Sequence, residues 1–244
     1  MADLGAMHIP VEVVVSTLAD LKAAADGGAD RVELCVDLGC GGLTPGRSLT
    51  EAAAAQCSSL GLGLRVLIRP RTGDFVFDAD ERTLIVREAE ATLALGAEKV
   101  VVGGLDAEGL PDRELLGALG HAVGMEAVVF HRALDEAVHY GQALQRLEEA
   151  GVKEVLTSGG EGRAVEGISG IAQAAQHFSV VAGSGVLPDQ VDALVSAGAH
   201  AVHASCRTPQ TGQRQGRLFD AARSVVDAER VRALVEAVRA VARP

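Results

Sequence analysis

Gly151-Val152-Lys153-Glu154-Val155-Leu156-Thr157-Ser158-Gly159-Gly160 reads as one complete joint of a repeating architecture. Its first glycine stops the helical pattern at 136–150, as a left-handed helix cap favours, and a short apolar run at 154–158 follows before a polar, glycine-rich turn. The same helix-glycine-strand punctuation recurs at Gly27-Gly28-Ala29, Gly96-Ala97 and Gly198-Ala199. Working outwards from it yields eight Val-rich runs, at 11–15, 31–35, 64–69, 99–103, 126–131, 154–158, 179–183 and 201–205. Their starts lie 20 to 35 residues apart, near the roughly 30 residues of one βαβ step. Further helical patterns fill 18–27, 81–95 and 188–197. An α/β chain is therefore expected, folded as a single TIM-type (β/α)8 barrel over 1–244. Residues 1–10 lead in, the polar 207–217 stretch is expected to be an exposed loop, and 226–241 forms the closing helix on Val231, Leu234, Val235, Val238 and Val241.

Composition agrees with one large aliphatic core. Of 244 residues 48% are apolar but only 2% aromatic, so Val, Leu, Ile and Ala must fill the interior. Lys and Arg number 22 against 33 Asp and Glu, and the net charge of -11 repels phosphodiester backbones and anionic lipid. Nucleic-acid and membrane partners are thereby disfavoured. The first residues lack a basic segment followed by an apolar run, and no stretch reaches the roughly 18 apolar residues of a span, so a cytoplasmic location is expected. Four irregularly spaced cysteines, Cys35, Cys40, Cys57 and Cys206, read as reduced thiols rather than a disulfide framework.

In such a barrel the interior takes branched aliphatics and the strand C-termini carry the chemistry, so polar residues within or just after strands are the informative ones. Glu12, Glu33, His131, Asp135 and His203 are the candidate catalytic acids and bases. Arg69, Arg71, Asp74, Arg132, Thr157, Ser158, Gly160, Gly183, Ser184 and Ser205 are the candidate ligand contacts, with Gly183-Ser184-Gly185 an anion-binding turn. Strand alternation puts Glu33 with Cys35, Arg69 with Arg71, and His203 with Ser205 on shared faces, each able to point into the mouth. The bland counter-reading is a buried ionic layer in which Glu12 and Glu33 neutralise Arg69 and Arg132. Cys35 is the candidate soft-metal ligand, although Cys35 and Cys40 lack the two-residue separation of a metal knuckle.

Six motifs also carry a family likeness. Glu33-Leu34-Cys35, Gly41-Gly42-Leu43-Thr44-Pro45, Arg69-Pro70-Arg71 with Gly73-Asp74-Phe75, Phe130-His131-Arg132-Ala133 with Asp135, Leu156-Thr157-Ser158-Gly159-Gly160 and His203-Ala204-Ser205 together resemble the CutC copper homeostasis family, in order from about residue 11 to about 206. The resemblance implies a TIM-type barrel, a homo-oligomer, and cytoplasmic binding and trafficking of copper as Cu(I), with Cys35 as thiolate and His131 or His203 as partners. This chain departs from the family where Val13 follows Glu12 in place of a usual cysteine, so one thiolate ligand is missing. Copper homeostasis is therefore the expected function, with catalysis left open and, as the alternative, a metal-independent lyase, isomerase or hydrolase acting on a small anionic, sugar-like or phosphorylated compound.

Overall fold

The structure, a computed structural model, describes residues 8–210 and 224–241. Eight parallel strands, β1 (Val11–Val15), β2 (Arg31–Leu34), β3 (Gly63–Ile68), β4 (Lys99–Val102), β5 (Val128–Phe130), β6 (Glu154–Thr157), β7 (Ser179–Ala182) and β8 (Ala201–Ala204), close into a barrel in sequence order. The seam is β1 against β8, with Glu12 beside His203. Helices α1 (Leu18–Asp26), α2 (Arg47–Leu60), α3 (Ala79–Ala94), α4 (Arg113–Ala122), α5 (Tyr140–Glu149), α6 (Ile168–Ala174), α7 (Val191–Ser196) and α8 (Ala228–Val241) surround it. The fold is thus a TIM-type (β/α)8 barrel, as expected.

Local chemistry sets the joints. Thr17 caps α1 by accepting from the Asp20 amide, and Asp78 with Glu81 forms a reciprocal capping box at the start of α3. Gly61 ends α2 in the left-handed conformation at φ 68°. Alternation within each strand then divides the core: Val11, Val13 and Val15 pack outward into the helix layer, while Val14, Cys35, Leu67, Val101, Val129, Leu156, Val181 and Ala201 fill the barrel centre. At about 25 cal/mol per Å² of apolar surface, this dry double layer is the main source of stability.

Several boundaries differ from the sequence reading. β5 is confined to Val128–Phe130 because Met125–Ala127 winds into a 3₁₀ turn before it and Arg132–Glu136 into another after it. The second turn also delays α5 to Tyr140. Pro188–Gln190 likewise forms a 3₁₀ turn ahead of α7. In the stretch expected to be an exposed loop, Arg207–Pro209 is a strand, β9, antiparallel to β10 (Ser224–Val226). Its composition is polar, but the Arg207 guanidinium fastens it by donating to the Ser224 carbonyl and hydroxyl and to Asp20. The rest of that stretch, 211–217, and lead-in residues 1–7 lie outside the described residues. The closing helix starts at Ala228 because Val226 belongs to β10 and Asp227 accepts from the Glu229 amide.

Candidate functional site

The inward side chains at the strand starts are charged. Arg31 and Lys99 open β2 and β4, Glu154 opens β6, and Glu12 and Arg65 follow one and two residues into β1 and β3. Glu154 accepts from Arg65 at 2.7 Å and from Lys99 at 2.9 Å. Glu12 takes Arg31 at 2.6 Å and Arg65 at 3.2 Å on one oxygen and His203 Nδ1 at 2.8 Å on the other. Burial alone would raise the Glu12 carboxyl, but the His203 hydrogen bond and the two guanidiniums overcome it and hold the group far below the usual carboxylate range. Glu154 is likewise lowered against its burial by Arg65 and Lys99. The expected ionic layer therefore exists with other partners. Arg31 and Arg65 neutralise Glu12, whereas Arg69 and Arg132 lie beyond the strand ends, on the opposite face.

His203 connects this floor to the opposite end. Its Nδ1 also lies 3.9 Å from Glu33. Despite burial, the hydrogen bond to Glu12 and the charges of Glu33 and Glu12 raise its affinity for a proton. Glu33 is pushed up to about 7: burial dominates, with the Glu12 charge adding to it and His203 and Arg65 opposing. His131 moves the other way, down to about 3, through burial and the charges of Arg69 and Arg132. Its Nδ1 accepts from the Ala133 amide at 3.1 Å, so the neutral ring carries its proton on Nε2; neither that atom nor Glu33 Oε2 has a hydrogen-bond partner among the described residues.

At the strand C-termini opens a cavity of about 1090 Å³. Among the expected residues Glu33, Cys35, Arg69, Asp74, His131, Arg132, Ser184, His203 and Ser205 line it. Arg69 is buried and fixed by the carbonyls of Cys40, Gly42 and Gly73, with Phe75 packed 4.8 Å from its guanidinium. Arg132 is held by Asp135 at 2.9 Å and Ser158 at 3.2 Å, and remains half-exposed to the cavity.

The other candidates lie elsewhere. Glu12 sits below, in the floor network. Arg71 shares parity with Arg69 on paper, but β3 ends at Ile68, so alternation has stopped; it grips Glu81 of α3 at 2.5 Å and the Val76 carbonyl at 2.7 Å instead. Asp135 is a staple, accepting from Thr157 Oγ1 and the amides of Ser158 and Gly160. Thr157 is spent on Asp135 and Tyr140, Ser158 on the Glu161 carbonyl and Arg132, and Gly160 on Asp135 through its backbone. Gly183 is a packing glycine, since a Cβ there would lie 2.6 Å from Leu156. Sequence reading missed Arg31, Arg65, Lys99 and Glu154; the spacing Arg65, Leu67, Arg69 on one strand face was the available signal. It also missed Arg207 and Arg230 at the rim of the cavity.

Among the described residues, Glu12, Glu33 and His203 form the one group of three whose donor atoms lie within 4.8 Å of each other. Two of its three members are engaged with each other or with cations: Glu12 serves two guanidiniums, and His203 uses its Nδ1 on Glu12. Cys35 is outside the group, and burial beside Glu33 raises its thiol well above the usual range, which disfavours the thiolate. The arrangement suits proton transfer and hydrogen bonding better than cation capture.

Comparison with known proteins agrees with the motifs. The family model described as the CutC family matches residues 9–208. A CutC family protein of Xanthomonas campestris pv. campestris (strain B100) is 42% identical over 208 residues, covering 83% of this chain and 85% of its own. One of Xylella fastidiosa (strain 9a5c) is 40% identical over 211 residues, covering 84% and 78%. A solved structure named for copper homeostasis, CutC from Streptococcus agalactiae, superposes with a TM-score of 0.75 at 25% identity, covering 81% of this chain and 99% of that one. Thiamine phosphate pyrophosphorylase from Pyrococcus furiosus shares the fold alone, at a TM-score of 0.62 and 12% identity over 96% of both chains. With the family match spanning all eight barrel strands and relatives at this level of identity, the chain belongs to the CutC family.

Proposed function

We propose that the chain is a metal-independent lyase, isomerase or hydrolase that moves a proton on a small anionic, sugar-like or phosphorylated substrate. One observation carries the reading: a carboxyl held near 7, Glu33, and a neutral imidazole with an unpartnered Nε2, His131, line a single cavity. A group titrating near the working pH is the form in which a carboxyl both gives and takes a proton, and a general acid–base of this kind contributes about 10²- to 10⁴-fold in rate. In this reading Glu33 transfers the proton, His131 donates from Nε2 to developing negative charge, and Arg132 binds the substrate's anion. His203, kept charged by Glu12, stabilises the ionised form of Glu33. The same reading takes the chain as a cytoplasmic homo-oligomer with its four cysteines reduced, and all four are free thiols in the structure. No helix among the described residues is long and apolar enough to cross a membrane. The test is deuterium wash-in: chelator-treated protein is incubated in D₂O with a panel of phosphorylated and carboxylated hydroxy-carbonyl compounds and C–H exchange is followed by NMR. Exchange on at least one compound, lost in Glu33→Gln with the fold intact, is expected. Exchange indifferent to Glu33→Gln would sink the reading.

Copper handling is the second reading, favoured by one observation: Cys35, Cys40 and Cys206 all line the same cavity. The name carried by the Streptococcus agalactiae relative points the same way. Copper would be cargo here, reached by thiols that must first lose their protons; burial pushes Cys206 up to about 11 as it raises Cys35. Cu(I) titration of reduced protein against a competing chelator discriminates the two. Affinity that falls in Cys35→Ser supports the cargo reading, and unchanged affinity removes Cys35 from it.

A further inference from the structure

The cavity extends past Glu33 and His131 to a second end, made by the turn after β7 and the segment after β8. Ser184 at φ 85° and Gly185 at φ 65° are successive left-handed residues. A non-glycine residue held so is strained and persists where the surroundings fix it. Here they do: Ser184 Oγ donates to the Gly162 carbonyl at 2.7 Å, and the Ala164 amide donates to the Ser184 carbonyl at 3.0 Å. The amides of Ser184, Gly185 and Val186 have no partner among the described residues. Three arginines accompany them in a chain of net charge -11. Arg207 and Arg230 line this end, and Arg163 donates to the Gly185 carbonyl at 3.4 Å. A side chain at position 185 would lie 2.9 Å from Arg163, so only glycine leaves that approach open. Against these guanidiniums stand Asp20, which engages Arg207 at 3.2 Å, and Asp227, 4.0 Å from Arg230. Arg207 Nη1 is buried and has no hydrogen-bond partner among the described residues.

We propose that the 184–186 turn, with Arg230 and Arg207, binds the phosphate of a small phosphate monoester whose other end reaches Glu33 and His131. Three free amides and guanidiniums match the three terminal oxygens of a phosphate better than the two of a carboxylate, and charge-assisted bonds to such oxygens are the strong ones. Barrels of this class commonly place phosphate at the loops after strands seven and eight. The inference rests on the proton-transfer reading only for the ligand's reacting end.

Amide NMR of the full chain, titrated with glycerol phosphate, inorganic phosphate and acetate at equal ionic strength, tests it. The Ser184, Gly185 and Val186 resonances are expected to shift saturably with glycerol phosphate, more weakly with inorganic phosphate, and not with acetate. Arg230→Gln, at an exposed position, is expected to weaken glycerol phosphate binding at least about tenfold, and the equally exposed Arg163→Gln serves as the second variant. Unchanged affinity in both arginine variants, shifts confined to other residues, or no preference for the monoester over inorganic phosphate would overturn the proposal. Glycerol phosphate binding at 184–186 without C–H exchange on any compound would leave this site standing and remove the proton-transfer reading instead.

Discussion

The two ends of the barrel interior hold the same kinds of side chain and treat them in opposite ways. At the floor, Glu12 and Glu154 share Arg31 and Arg65, Lys99 joins Glu154, and both carboxylates stay ionised far from neutrality. At the mouth, Glu33 is pushed up to about 7, His131 down to about 3, and each has an atom without a hydrogen-bond partner among the described residues. A buried charge with its counter-charges is a structural element, whereas a buried titratable group left unpaired is a cost that a ligand can relieve. Residue type alone does not distinguish them; the partners do.

The largest expected effect breaks this comparison at its base. Glu12→Leu removes a shared counter-charge from Arg31 and Arg65, leaving both to Glu154 alone, and takes from buried His203 its hydrogen-bond partner; it should cost about 3–5 kcal/mol in denaturant unfolding. Glu33→Gln should cost far less, because it removes an unfavourable burial. Equal losses in the two variants would erase the distinction between floor and mouth.

The next effect is a pH slope. Glu33 is raised to about 7 from 4.5, so its contribution to stability is full at acid pH and lost as pH climbs towards 7, by about 3 kcal/mol in total. His131 is lowered to about 3 from 6.5, so its contribution is full above 6.5 and lost as pH falls. Between pH 5 and 6.5 the two oppose each other, and His203, raised, falls in with Glu33 only above that window. Unfolding midpoints at pH 5 and 6.5 should therefore rise with pH in Glu33→Gln and fall with pH in His131→Gln. Slopes of the same sign in both variants would contradict the assignment.

Gly183→Ala probes the junction of the two regions. Its added methyl must displace Leu156 from 2.6 Å, and overpacking of this sort should cost about 1–3 kcal/mol by thermal unfolding. The smallest effect is expected from Arg71→Gln, since Arg71 and its closest charge partner Glu81 lie outside the cavity lining and Asp74, at the rim, is its weaker contact. Ligand affinity in the mouth should be unchanged while the melting temperature drops slightly; a loss of affinity would return Arg71 to the site.

The barrel was legible because each βα unit announces itself locally, through a glycine stop, an apolar run and a polar turn. The mouth was legible in part for a related reason: Glu33, His131 and His203 lie on inward faces within or just beyond strands. Arg71 was misread where alternation was carried past the end of β3, and Asp135 where a loop staple has the composition of a catalytic acid. The floor was overlooked because its pairings are set by barrel closure: Arg65 and Glu154 are 89 positions apart, and nothing near either names the other. The β9 strand eluded reading since one arginine's hydrogen bonds, rather than an apolar pattern, hold it in place.

His203 reaches through the aliphatic middle of the barrel to Glu12, so the acidity of the mouth depends on residues no ligand touches. Transplanting Glu33, His131 and His203 onto another eight-strand scaffold would not reproduce their behaviour unless Glu12 and its two arginines travelled with them. Without that foundation the imidazole would hold its proton less tightly, and the neighbouring carboxyl would lose part of the positive charge that favours its ionised form.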